Sequence, residues 1–408
     1  MELYDIVIIG AGPAGSVASA YLNNQGKKVI VLEKETMPRF VIGESLLPRC
    51  LDDLDESGLL EAVEAANFQV KTGATFNKGA SQLAFDFSNQ FYDGHKYAWQ
   101  VKRADFDKIL IDEAENQGVE VRYNCTVTDI KTSSSTQVIS YTDKEGLNIN
   151  VEAKFIIDAS GYGRVIPNLF DLNAPSQLPA RGSVFTHVID KNRTTTEAEN
   201  IFVHAFNNNE SWIWAIPFSD GTTSIGVVGA NDFVKELAEN NGEKFLEFMG
   251  SFKDLKGRFK DVETLFDTRS IYGYSIGIKK MYGEGFVLCG NTIEFLDPIF
   301  SSGVTLATAS GLIAAKSALK QINGEPMDWQ KDYEDLIMEG VEVFRSYVNG
   351  WYDGTLQSII FAPEINTDFQ KQICSVLAGY VWDNTNPFIK KHKTILKTLS
   401  KIIEMNSK

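Results

Sequence analysis

The chain has 408 residues, of which 43% are hydrophobic and 23% charged, and a formal net charge of -15. That length buries a sizeable core and suggests two domains or one large composite domain. The acidic balance excludes nucleic acid as an expected partner, because most of the surface would repel a phosphate backbone.

No apolar run reaches the ~20 residues that span a bilayer, so no transmembrane segment is expected. Cys50, Cys125, Cys289 and Cys374 form no CxxC pair, and the four histidines are equally dispersed. Both patterns point to a reducing compartment with neither a disulfide framework nor a metal site. No charged-then-apolar leader precedes the first strand, and a cytoplasmic location is the expectation.

The β-branched run Tyr4-Asp5-Ile6-Val7-Ile8-Ile9 reads as a strand. It enters the turn Gly10-Ala11-Gly12-Pro13-Ala14-Gly15 and then a helical pattern over 16–22. Strand, turn and helix are the context that a dinucleotide fingerprint requires. Gly10 permits the tight turn, Gly12 lets the backbone approach a pyrophosphate, and Gly15 lets helix and strand pack closely. The helix beginning at Pro13 and Ala14 turns its positive end to the phosphates. A second strand over 28–32 ends at Glu33, placed for a ribose hydroxyl.

Further along, 48–66 read as a helix and 73–100 as strands, with alternating apolar Ala74, Phe76, Leu83, Phe85 and Phe87. A helix is expected over 104–117, a strand over 119–123, and a hairpin of strands 136–142 and 147–151. The apolar strand 155–157 runs into Asp158-Ala159-Ser160-Gly161, a second turn that can present its end to a cofactor. Residues 180–230 are strand-rich, 232–249 read as a helix, 285–288 as a strand and 304–321 as a helix. The expectation is an α/β fold. A Rossmann-type FAD-binding domain (1–72, 100–168 and 270–325) is interrupted by a mostly antiparallel substrate-binding sheet (73–99 and 169–269), and 326–408 form a helical C-terminal region.

Several runs resemble the class A flavoprotein monooxygenases. Val101-Lys102-Arg103 with Phe106, Asp107 and Leu110 is similar to their arginine-bearing helix start, 158–161 to their second cofactor turn, and Gly290-Asn291 to their Gly-Asp motif. Asn291 departs from the usual aspartate, but an amide still bonds ribityl hydroxyls. Within that superfamily the chain resembles the flavin-dependent halogenases of the phenol and pyrrole branch. Trp212-Ile213-Trp214-Ala215-Ile216-Pro217 matches their W-x-W-x-I-P run, and Phe295, Pro298, Ser301 and Gly303 match F-x-x-P-x-x-S-x-G. Residues 70–76 resemble the segment carrying the catalytic lysine, here Lys71, and Gly43-Glu44-Ser45-Leu46-Leu47-Pro48 fits the same branch. Weaker resemblance continues through Trp351-Tyr352-Asp353 and 377–382.

The resemblance implies FAD held by Gly10, Gly12, Pro13, Ala14, Gly15, Glu33, Lys34, Arg103, Asp158, Gly161, Gly290, Asn291, Pro298, Gly303 and Val304. It further implies chloride or bromide as co-substrate, held by the backbone at Ser302 and Gly303, and a separate reductase supplying reduced flavin. Halide would attack a flavin C4a-hydroperoxide, and the resulting hypohalous acid would pass to Lys71. Trp212 and Trp214 would wall the substrate off from the ring. The product would be an electron-rich aromatic, free or tethered to a carrier protein, bearing chlorine or bromine.

Read alone, each run has a plainer explanation. Lys71 is a lysine beside a strand with Lys78 as a rival, the tryptophans alternate as in any half-buried strand, Ser301 and Ser302 cap a helix, and Glu44 structures a loop. The shared fold also leaves open a double-bond reductase similar to geranylgeranyl reductases, or an NADPH-dependent aromatic hydroxylase. Lys390, Lys391, Lys393, Lys397 and Lys401 alternate with apolar residues in a basic amphipathic tail. It is expected to dock on its own core rather than bind a membrane or an acidic carrier protein.

Overall fold

The computed structural model describes residues 2–194, 199–363 and 366–406. Its first sheet is built around the strand Glu2–Ile9, buried in its inner half as its β-branched run requires. Val29–Leu32 and then Glu120–Arg122 lie in parallel on one side, Asn148–Asp158 and then Phe286–Leu288 on the other. Helices Pro13–Asn24, Arg103–Asn116 and Ser302–Ile322 flank this sheet. Near-continuous apolar strands beneath covering helices are the usual mark of a parallel sheet.

The second sheet runs Arg269–Tyr272, Arg181–Ile189, Thr222–Ala230, Ser211–Pro217, Ile201–Phe206, Gly73–Lys78, Ser81–Asp86. Only the pairing of Ile201–Phe206 with Gly73–Lys78 is parallel. Both of its faces are covered. Along Ser211–Pro217 every residue is buried, because Ile213 and Ala215 pack beneath Val234, Leu237, Phe245 and Met249 of the two helices that follow the strand Thr222–Ala230. The opposite face, carrying Trp212, Trp214 and Ile216, turns toward the first sheet.

Three boundaries depart from the sequence reading. The helix expected over 48–66 is two, Arg49–Glu56 and Leu60–Glu64, broken where Gly58 takes φ +76°. The helix expected over 232–249 is likewise Asn231–Leu237 and Glu243–Ser251, interrupted by left-handed Asn241 and Gly242. The strands expected over 147–151 and 155–157 are one strand, Asn148–Asp158. It pairs antiparallel with Gln137–Thr142 along its first half and parallel with Glu2–Ile9 through Asp158.

The C-terminal region packs Leu336–Tyr352, Thr355–Ile360, Thr367–Leu377 and His392–Asn406 against the rest. The last helix buries Leu396 and partly buries Ile395, Leu399 and Ile403 against the main core, while its lysines stay exposed. That is the docked arrangement expected. Among the described residues no helix is long and apolar enough to cross a membrane, and no group of three or more His, Cys, Asp or Glu side chains could hold a metal ion.

Candidate active site

The register of the parallel sheet sets the site. Leu288, Asp158, Ile9 and Leu32 stand in one row across four strands, so the residues that follow them leave the sheet at the same level. A ligand crevice outside the carboxyl ends of parallel strands is the general rule for such sheets. Here Ala159, Gly10 and Glu33, together with Gly290, line a cavity of about 720 Å³. Its far wall comes from the second sheet through Phe185, Trp212, Trp214 and Ile216.

The glycine turn at the floor separates into packing and ligand-facing positions. A Cβ on Gly15 would lie 2.0 Å from Gly10 O, so this glycine serves helix-to-strand contact and does not line the cavity. A Cβ on Gly12 would meet only Arg39 Nη2, at 3.5 Å, so the space over its backbone is open. Gly12 also precedes a helix with Pro13 at its start and no side-chain cap, leaving the first-turn N–H groups free for an anion. Across the opening lies Arg39, which also reaches Asp107 Oδ2 at 3.2 Å. These features fit a dinucleotide pyrophosphate.

Glu33 accepts the Ala11 and Glu35 N–H groups at 2.8 and 2.9 Å, and each oxygen keeps a lone pair for a ribose hydroxyl. Pro13, Ala14, Gly161, Asn291, Pro298, Gly303 and Val304 all reach the cavity, with Lys34 beside Glu33. Arg103 lines it too, but its fork is spent on Asp107, at 2.7 and 3.0 Å. Nη1 of the same guanidinium donates to the Ile42 and Gly43 carbonyls, which makes it a clamp on the 42–45 segment.

Two expected positions are placed elsewhere. Asp158 does not reach the cavity. Its carboxylate is fully buried and accepts N–H groups of Ser160 and Ile166 at 2.9 and 2.7 Å, so it holds the turn rather than the ligand. Ser302, expected to offer its backbone N–H to the halide, is not among the residues that line the cavity, and its side chain is buried. Only its neighbours Ser301, Gly303 and Val304 face in, at the start of a 21-residue helix whose N-cap Ser301 is left-handed and makes no side-chain cap.

Trp212 and Trp214 both face the cavity, with ring centroids 5.8 Å apart. The sheet rows explain the fit: Phe185, Gly226 and Trp214 stand opposite one another, and a Cβ on Gly226 would collide with the Trp214 ring at 2.2 Å. Trp214 Nε1 donates to Ser224 Oγ at 3.0 Å, and Trp212 Nε1 to Tyr352 Oη at 3.0 Å. Tyr352 in turn donates to Asp297 Oδ2 at 2.8 Å, which also accepts from Tyr274 at 3.2 Å. Burial pushes the Asp297 carboxyl up. The weakly matching run 351–353 thus supplies the residue that fixes Trp212.

Lys71 lies one residue behind the wall. Ser45 lines the cavity, and the carbonyl of the next residue, Leu46, accepts Lys71 Nζ at 2.7 Å. The lysine is 1% exposed and forms no ion pair among the described residues, with the Phe87 ring 5.5 Å away. Burial pushes its pKa down to about 7. Lys78, by contrast, is exposed beside a hairpin turn. Ser45 Oγ and both ends of the Gln100 amide are buried with no hydrogen-bond partner among the described residues; the two residues form a β-bridge, and Gln100 lies in the strand that pairs with that of Lys71. Nothing in the residue pattern singled out Gln100 or Arg39, because their places depend on long-range pairing.

A profile of the Tryptophan halogenase family matches residues 5–93 and 80–358. The chain is 29% identical over 406 residues to the 1H-pyrrole-2-carbonyl-(peptidyl-carrier protein) chlorinase of Pseudomonas fluorescens, covering 93% of this chain and 90% of that protein. Among solved structures it is similar to a flavoprotein/dehydrogenase from Cytophaga hutchinsonii, with 49% identity, full coverage of both chains and a TM-score of 0.97. It is also similar to the flavin-dependent brominase Bmp2, with 26% identity, 99% of each chain covered and a TM-score of 0.83. With the family profile spanning most of its length, the chain belongs to the tryptophan halogenase family of flavin-dependent halogenases.

Proposed function

We propose that the protein binds FAD along the carboxyl edge of its parallel sheet and uses reduced flavin, dioxygen and chloride or bromide to halogenate an electron-rich aromatic. The observation that carries this reading is one continuous arrangement. The dinucleotide floor, the tryptophan wall and the uncapped start of the Ser302–Ile322 helix meet around a single cavity, and the buried Lys71 lies just behind its wall, bonded to the carbonyl of the residue after Ser45.

Reduced FAD with dioxygen supplies the oxidant that turns halide into hypohalous acid. Gly12 and the start of the Pro13–Asn24 helix hold the pyrophosphate, and Glu33 the ribose. Gly303 and Val304 present the positive end of their helix to the halide. Trp212 and Trp214 keep water and substrate from the reacting centre. Lys71 then receives hypohalous acid past Ser45 and Gln100. With a pKa near 7, it acts either as an ammonium that hydrogen-bonds the acid or as a free amine. In the second form a nitrogen–halogen bond replaces the oxygen–halogen bond, and hydroxide leaves with the amine proton as water. The substrate is a phenol or pyrrole, free or carrier-tethered, and a separate reductase delivers the reduced flavin.

The test is rapid mixing of anaerobically reduced, FAD-loaded protein with oxygenated buffer, with and without bromide, for the parent and Lys71→Ala. Both proteins are expected to oxidise bromide, while only the parent brominates a panel of phenols and pyrroles. Flavin reoxidation indifferent to bromide in the parent overturns the reading. Equal bromination by both proteins removes Lys71 from it.

A further inference from the structure

Glu44 is the titratable group of the cavity wall that the mechanism above leaves without work. It sits in the 42–45 segment clamped by Arg103, is 1% exposed and lines the cavity. One oxygen, Oε1, is hydrogen-bonded to His187 Nε2 at 2.6 Å. The other, Oε2, is buried with no partner among the described residues. An unpaired carboxylate oxygen costs more than its hydrogen bond would return, and Glu44 Oε2 is thus left for whatever fills the cavity that Glu44 lines. His187 is itself 5% exposed and caged by Phe40, Phe218 and Phe266, whose ring centroids lie 4.8–5.9 Å away. The cage fixes the imidazole, and the imidazole fixes the carboxyl.

The other cavity carboxylates are engaged or peripheral. Glu33 takes two backbone N–H groups, and Glu35 is exposed beside Lys34. The cavity cations Arg39 and Arg103 are held by Asp107, and Arg269 lies over the Phe40 and Phe266 rings. Among the cavity carboxylates Glu44 is therefore the one with a buried oxygen that no described residue engages.

The reaction needs a proton. Halide, dioxygen, reduced flavin and one proton yield hypohalous acid, oxidised flavin and one water: the halide and the flavin each lose two electrons, and dioxygen gains four. On the halogenation reading Trp212, Trp214 and Phe185 keep bulk water from their part of the cavity, so that proton has to come from a protein group. We propose that Glu44 gives a proton from Oε2 to the oxygen that leaves as hypohalous acid or water while its Oε1 takes up the proton of the His187 Nε2 hydrogen bond, with His187 positioning the carboxyl and restoring the proton afterwards. This rests on the halogenation reading above.

The experiment uses the full-length, FAD-loaded protein as parent, Glu44→Gln, Glu44→Ala and His187→Gln. FAD affinity is read from flavin fluorescence quenching, and the reduced proteins are then mixed with dioxygen and bromide. Hypobromite is trapped with monochlorodimedone, and hydrogen peroxide is counted separately. Expected are FAD affinities within about threefold of the parent and continued oxygen consumption. In Glu44→Gln hypobromite falls at least tenfold and hydrogen peroxide replaces it mole for mole. The fall is smaller in His187→Gln, and formate or acetate partly restores hypobromite in Glu44→Ala, which a purely structural residue would not allow.

Parent-level hypobromite in Glu44→Gln overturns the proposal, as does loss without rescue in Glu44→Ala, which leaves Glu44 a structural support. Loss of FAD affinity in both glutamine variants assigns the pair to cofactor binding and also overturns it. A parent that forms peroxide and no hypobromite sinks the halogenation reading, and the proton assignment with it.

Discussion

Lys71 shows how a single side chain can oppose the fold that holds it. Its ammonium is buried against one carbonyl and, among the described residues, no carboxylate, and the drop from 10.5 to about 7 corresponds, at about 1.4 kcal/mol per unit, to a burial cost of about 5 kcal/mol. The sign follows from proton binding. Below pH 7 both folded and unfolded chains are protonated and the cost is fully present. Between pH 7 and the ordinary lysine value the unfolded chain binds more protons, so stability rises with pH. Lys71→Met, similar in length and apolar, is therefore expected to be more stable than the parent by roughly 2–4 kcal/mol at pH 6. The gain should shrink steadily toward pH 10. Urea unfolding at both pH values checks this, and a difference independent of pH would mean that the lysine is solvated. The residue could be singled out in the sequence only by its resemblance to a family segment, since no local pattern says that a lysine beside a strand is sealed. Asp158 illustrates the converse: a turn aspartate at a cofactor edge carries the same signature whether it faces the ligand or, as here, its own backbone.

At the scale of elements, period and punctuation identified most strands and helices, and the misses share one cause. Residues 48–66 and 232–249 carry helical periodicity throughout, yet left-handed Gly58 in one and Asn241 with Gly242 in the other divide them. Periodicity survives a break that keeps the apolar face in line. The merged strand Asn148–Asp158 was obscured because its first half alternates, as a half-exposed hairpin does, and its end, residues 155–158, is buried throughout, as a parallel strand is. The tryptophan strand looked half-buried for a similar reason, since only long-range packing places helices over its second face. The basic tail was readable because its apolar stripe and its lysines separate cleanly, and the stripe is what the structure buries. Leu396 is 3% exposed, so Leu396→Ala is expected to cost about 2–4 kcal/mol. Lys397→Ala, on the exposed face, should change stability by less than about 0.5 kcal/mol. Comparing the two by chemical denaturation checks whether the helix docks in solution. Equal, small effects would mean a detached tail.

Across the whole molecule, the site exists because two sheets with unrelated tasks meet at one level. The parallel sheet ends its strands in a row at Leu288, Asp158, Ile9 and Leu32, and the antiparallel sheet lays its tryptophan face over that edge. The floor was legible because its glycines, helix start and terminal acid are contiguous in sequence. The nearness of Ser45, Gln100 and Lys71 was not, because it is assembled from three segments held by a bridge and a short pairing. The floor also allows fold and ligand binding to be separated by experiment. A Cβ at position 15 meets Gly10 O at 2.0 Å, whereas one at position 12 meets nothing closer than an arginine tip at 3.5 Å. Gly15→Ala is therefore expected to lower the melting temperature of the FAD-free protein, at a cost of about 1–3 kcal/mol. Gly12→Ala should keep the parental value, because position 12 has an extended backbone that alanine adopts freely. Adding FAD at 100 times its dissociation constant should stabilise the parent by about 2.7 kcal/mol. Gly12→Ala, whose methyl group fills the approach to the pyrophosphate, should lose most of that rise. If FAD raised the melting temperature of Gly12→Ala as much as the parent's, the pyrophosphate would have to lie away from the Gly12 turn, and the carboxyl-edge placement of the cofactor would fail with it.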